Sequence, residues 1–533
     1  MTQVNKIDSN ATGLRYAEET TYNTAPSSAT WYALEPNEYD DFGGEYTLIA
    51  RNPINASRQR KKGVITDLDA SGGFETDLTQ DNLTDIMQGF MFATLAQNGE
   101  DLAADATGTT DLFDIPTTAA YAVGQIVQGS GYANAGNNGL HVITAIVADT
   151  TIAATGSTLV TETAPATAKV ETVGFEFVTA NSTSLAIDVS GAFPTLSQDI
   201  MPGGWVVDLN VEAGDWIYIG DGTNDFFNGA NNGFKRVRSV TSTVLTLDKS
   251  DSTMIEDFGS DDGLVGGAYS QTIRIFVSKK LKNRQSTSIV RRSYHLEREL
   301  GYSDDGDTTN LQYEYVTGAI PSEFELTIPV ADKIMANVSF MGAATDRIDT
   351  STTSPGGGET RIDAGGTRPT LVDADAFNTS SDVARVRLAT YDATTEAPLP
   401  LFTYAEEITL SLNNNLNPLK AVGTLGSFDV SAGTFEVSGE ITAYFADVAS
   451  VDTIANNSDI TLDVALYKSN AGIVFDIPLI ALGEGRMEVE QDEAIKIPLD
   501  MQAASAAKLH ADLDHTLWIG WFSYLPAAAA TQT

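Results

Sequence analysis

Cysteine is absent from this chain of 533 residues, which excludes disulfides, thiolate nucleophiles and cysteine-based metal sites together. Histidine is scarce. Only His141, His295, His510 and His515 could exchange protons near neutrality, and His295, on the alternating segment SYHLERE, reads as a packing or interface residue. No eighteen apolar residues run together and MTQVNKIDSN has no apolar h-region, so the expectation is a soluble chain made in the cytoplasm without export or membrane insertion. GxxxxGK[ST], HExxH and GxSxG do not occur, which removes the parts for phosphate cradling, zinc proteolysis and a nucleophile elbow. No enzyme activity and no cofactor are expected. DGTND (Asp221 to Asp225) and SDDGDTTN (Ser303 to Asn310) offer oxygens to Ca²⁺, but they lack EF-hand spacing and a glutamate at position twelve and read as plain acidic turns.

What is present is strand. In SEFELTIPV, Phe324, Leu326, Ile328 and Val330 alternate with Glu323, Glu325, Thr327 and Pro329, the period of two expected of a strand with one buried face. TFEVSGEITAYFAD repeats the pattern through Phe435, Val437, Ile441 and Phe445, with Gly439 where a bulge or a close backbone approach is expected. One helix stands out: Leu83, Ile86, Met87, Phe90 and Met91 form a single apolar stripe, with Thr79 or Asp81 available as a cap. Asp346 to Asp382, rich in Gly, Thr and Asp, reads as a long loop.

These blocks, with RYAEETTYNTAP (Arg15 to Pro26) and SRQRKKGVITDLDASGGFETDLTQDNLTDIMQGFM (Ser57 to Met91), resemble the major tail tube protein of long non-contractile-tailed, siphovirus-like bacteriophages. The resemblance covers residues 13–95 and 286–525 in the family's order. It implies a mainly β fold, a tail-tube barrel or sandwich with one flanking α-helix. It implies further that copies form homohexameric rings stacked into a tube in the virion tail, with tape-measure and tail terminator proteins as partners, and that double-stranded DNA passes through without specific binding. The alternative from another class is a carbohydrate-binding or adhesion protein of a virion or cell surface.

Positive charge is the other scarcity: 31 bases face 72 acids, a net charge of −41. A wall of like charge would let a duplex slide without sticking, while the plainer reading is that acid keeps an abundant protein soluble. The bases cluster. Arg51, Arg58, Arg60, Lys61 and Lys62 fall in one window, and Arg274, Lys279, Lys280, Lys282, Arg284, Arg291, Arg292 and Arg298 in another. Arg58, Arg60, Lys61, Lys62, Lys279, Lys280, Lys282, Arg284, Arg291 and Arg292 are the candidate contacts to acidic patches on neighbouring copies, the first four on a long polar hairpin. A solvated loop is the plain alternative. Nucleic-acid recognition lacks the interleaved aromatics it would need.

Between the two tube-like parts, 1–98 and 279–533, residues 99–278 form an insertion with 22 acids against 6 bases, a balance of −16. It contains a repeat: Val123 to Val127 precedes Asn137-Asn138-Gly139, as Ala213 to Ile217 precedes Asn231-Asn232-Gly233. Each Asn-Gly would supply the positive-φ residues of a tight turn. The expectation is two small β-barrels or sandwiches, about 106–174 and 176–278, forming an exterior decoration that could be excised without loss of the tube domain.

Overall fold

The computed structural model describes residues 7, 12–54, 59–102, 104–108, 111–115, 120–148, 151–155, 159–179, 184–226, 228–257, 271–302, 311–352, 357–369, 371, 374–391, 398–402, 404–445, 448–489 and 491–531. The fold is mainly β, and the chain divides into two compact units. Unit one comprises residues 1–93, 287–379 and 407–440, and unit two comprises 94–286, 380–406 and 441–533.

Unit one is organised by the eighteen-residue strand Leu311–Ile328. Its first half pairs with Tyr294–Tyr302 and Ala344–Asp349, its second half with Met335–Gly342 and with residues 408–413. One strand can serve two sets of partners because it turns between them, and Gly318, at φ +60°, is the residue that permits the turn. Beyond it Phe324, Leu326 and Ile328 are buried on one face as the alternation predicts. The strand ends at Ile328, however, leaving Val330 exposed rather than in the buried row.

The apolar stripe at 83–91 folds as the helix Thr84–Phe90, and Phe90 packs its ring 5.7 Å from Phe324 and 6.2 Å from Phe340. Neither Thr79 nor Asp81 caps it through a side chain: the cap position is Leu83, and the Asn82 side-chain oxygen Oδ1 instead accepts from the Thr79 backbone amide. Two further short helices, Gly204–Asp208 and Val448–Ala455, were not foreseen. The long passage after Asp349 is pinned rather than loose. Arg361 and Arg368 both reach the buried Glu297 carboxylate, and Asp363 accepts from the amides of Ser28 and Ala29 and from the Trp31 indole.

In unit two the repeat is visible atom by atom. Asn138 brackets Tyr132, accepting from its amide and donating to its carbonyl, and Asn232 does the same to Phe226. One position earlier, buried Asn137 donates to the Val160 carbonyl and accepts from its amide, and Asn231 treats Ile255 identically. Glu162 and Asp257 occupy matching places beside them. The turn chemistry differs from the sequence expectation in one respect. Only Gly139 and Gly233 have positive φ; both Asn residues before them are extended, because their side chains are held by the bracket. Nor do the modules form separate sheets. They share one antiparallel sheet of thirteen strands, joined where Lys169–Thr179 pairs with Gln271–Val277.

Each module has its own core, one around Phe113, Ile143 and Val170 and one around Trp205, Ile217 and Ile275. A third core combines Ile126, Trp216, Tyr218, Phe234 and Phe276 with Val474, Trp518, Phe522 and Leu525, so residues 99–278 share packing with C-terminal strands of the same unit. Beside it lies a charged network without solvent exposure. Arg236 and Lys249 are cross-strand partners, as are Asp463 and Asp476. The Arg236 guanidinium lies 2.9 Å from Asp248 and 3.0 Å from Asp476, and Lys249 Nζ lies 2.7 Å from Asp463 and 3.1 Å from Asp476. Arg385 adds contacts to Asp463 and Asp251. Burial alone would push both Asp463 and Asp476 up, but the neighbouring cations outweigh it and hold them below the ordinary carboxylate range.

Candidate assembly surfaces

The strands Pro36–Arg51 and Lys61–Asp77 pair along their length as one hairpin. Its base is sealed by Phe74, Leu68 and the ion pairs of Lys420 with Asp67 and Asp69. Its outer half is not polar, as the sequence suggested. Leu48 (63% exposed) pairs with Ile65 (56%), and Ile49 (55%) with Val64 (54%). Adjacent strand residues point to opposite faces, so both faces of the outer hairpin are apolar and wet. Arg60, Lys61 and Lys62 stand exposed at the same end and form no ion pair among the described residues, while Arg58 lies outside them. The signal for this surface was present as two apolar doublets, Leu48-Ile49 and Val64-Ile65, which break the alternation of a strand with one wet face.

The second basic cluster is placed differently. Lys279 lies 2.7 Å from Glu100 and 3.1 Å from Glu171, Lys280 is buried against Asp215, and Lys282 is buried 2.8 Å from Glu212, which Arg284 also meets at 3.0 Å. Arg292 meets Glu18, and the more exposed Arg291 lies 3.7 Å from Asp429. These cations are matched within the chain.

Glu212 shows what the matching does. Burial would raise its carboxyl, but Arg284, Lys282 and Lys280 outweigh it and hold it down to about 2. A group whose folded pKa is depressed stabilises above its unfolded value and loses that contribution as pH falls through the folded value. Unit two is therefore expected to lose stability in acid melts between about pH 4.5 and 2, and Glu212→Gln should flatten that part of the profile. An unchanged slope in the variant would refute the assignment.

The acidic turn at Asp221 to Asp225 satisfies itself. Asp225 accepts from the amides of Asp221 and Gly222, and Asp221 accepts from Thr223, Asn224 and Arg274. Ser303 to Asn310 lies outside the described residues. His295 is buried on its strand with Nδ1 against Glu19, in a packing position. Among the described residues no helix is long and apolar enough to cross a membrane.

The surface that emerges is an apolar, basic-tipped hairpin on a β framework. No curated protein matches this sequence. The family model described as phage tail tube protein matches residues 9–503, nearly the entire chain, and the chain therefore belongs to that family.

Proposed function

We propose that this subunit closes into hexameric rings that stack into the tail tube of a long-tailed, siphovirus-like phage, the conduit for genome ejection. Family membership makes the chain a structural component of the virion tail that assembles with its own kind into a tube. The observation that supports the finer reading is the hairpin. Two apolar faces in water are an aggregation hazard unless a neighbouring copy covers them, and the bases at its tip meet a chain that is otherwise strongly acidic. Tape-measure and tail terminator proteins would cap and fill such a tube, and double-stranded DNA would pass a like-charged wall without specific binding. The acidic modules of 99–278 would face outward, away from the lumen.

Reversing the tip tests this. The triple variant Arg60→Glu, Lys61→Glu, Lys62→Glu is expected to give a folded, soluble subunit, because all three are exposed and none forms an ion pair among the described residues, but no tubes in negative-stain micrographs. Tubes of normal length and bore from that variant would remove the hairpin from the assembly surface.

A further inference from the structure

We propose that Lys249 and Asp463 become joined by an amide bond between their side chains, formed spontaneously after folding with Asp476 as the proton carrier. Nothing in a tail tube requires such a bond; the geometry suggests it. Lys249 Nζ lies 2.7 Å from Asp463 Oδ1 in a fully buried ion pair. The amine nitrogen and the carboxyl it would join are thus already held in contact. Asp476 Oδ1 stands 3.1 Å from the same nitrogen, accepting from it, and Asp476 is the cross-strand neighbour of Asp463. Thr461 Oγ1 also accepts from Lys249 at 2.6 Å, which fixes the direction of the amine.

The surroundings fit the chemistry. All three side chains are fully buried, and the Trp216 ring lies 5.3 Å from Lys249 Nζ. Burial closes the site to bulk solvent, which favours condensation over hydrolysis. Burial pushes the Lys249 ammonium below its ordinary value despite Asp463 and Asp476, so the reactive neutral amine is within reach. The Arg385 guanidinium bonds the other Asp463 oxygen, where negative charge would develop.

The step balances without any co-reactant. Asp476 takes a proton from the Lys249 ammonium and passes it to the Asp463 carboxylate; Nζ then attacks Cγ, and the carboxyl oxygen leaves with the protons as water. Ammonium and carboxylate become amide and water, with no change of oxidation state. The result would be a covalent tie between the strands Val244–Ser250 and Ile460–Lys468 in a protein that has no cysteine with which to make one.

Denaturing mass spectrometry of the purified full-length protein decides it. The expected mass is lower than the sequence mass by one water, and a tryptic digest should lack cleavage after Lys249 and contain a branched peptide carrying both Lys249 and Asp463. The full sequence mass would overturn the proposal, and so would a lost water mapped to any other position, such as an Asp-Gly succinimide. Lys249→Arg should restore the full mass. Asp476→Asn, which keeps both bonding partners, should restore it too; undiminished water loss in that variant would overturn the role of Asp476. Should either variant fail to fold, the wild-type peptide map still settles the bond.

Discussion

Excising residues 99–278 and rejoining the ends with a short Gly/Ser linker is expected to give an insoluble chain. The sequence alone pointed the other way, because each module has a core of its own and an insertion with its own core is normally dispensable. The shared third core reverses that expectation. Removing Trp216, Tyr218, Phe234 and Phe276 bares Trp518, Phe522, Val474 and Leu525, each worth about 1.5–3 kcal/mol of buried apolar surface. It also leaves Asp463 and Asp476 without Lys249 and Arg236, and a buried charge stripped of its partner costs about 3–5 kcal/mol. Those losses together match or exceed the whole stability of an ordinary domain. Expression, solubility and near-ultraviolet circular dichroism of the excised chain check the prediction; a soluble product with native aromatic signals would show that the C-terminal strands stand without the modules.

Arg236→Met is the largest expected single-residue effect. The guanidinium has no solvent exposure and is bonded to both Asp248 and Asp476, so the variant buries two carboxylates with diminished compensation and should lose about 3–5 kcal/mol in urea unfolding. The double variant Arg236→Met, Asp476→Leu should be more stable than the single, because it removes one of the stranded charges. Lys508→Met serves as the comparison. Its pair with Asp459 is largely exposed, and its loss should cost less than about 1 kcal/mol. Equal losses from Arg236→Met and Lys508→Met would mean that the network contributes little.

What could be read from the sequence was whatever depends on neighbours in sequence. The alternation at Phe324 to Ile328, the stripe at Leu83 to Met91 and the Asn-Asn-Gly repeat each express a local period or a local turn, and each is found where the residues put it. The ionic network could not be read in that way, since Arg236 and Asp476 are 240 positions apart. One trace of it was present: Asp463 and Asp476 each sit inside apolar runs, in ITLDVALY and GIVFDIPLI, and an acid in such a run must find a partner elsewhere. The ion pairs of the second basic cluster were illegible for a related reason. Charge density along the chain says nothing about whether acids distant in sequence already answer it, as Glu100, Glu171, Glu212 and Asp215 do for Lys279, Lys280, Lys282 and Arg284.

The paired modules carry a further consequence for descent. Outward from the central strands Lys169–Thr179 and Gln271–Val277, the sheet continues through equivalent strands in both directions, Gln125–Ser130 then Gly139–Ala148 on one side and Trp216–Ile219 then Gly233–Val240 on the other. That is the layout left when a self-associating ancestor is duplicated and fused head to tail, its former dimer contact becoming the middle of a single sheet. The copies have since diverged in role. Counting from the shared Asn-Asn-Gly, the place held by Val142 in the first is held by Arg236 in the second, so only the second module carries the cation that locks it to Asp476.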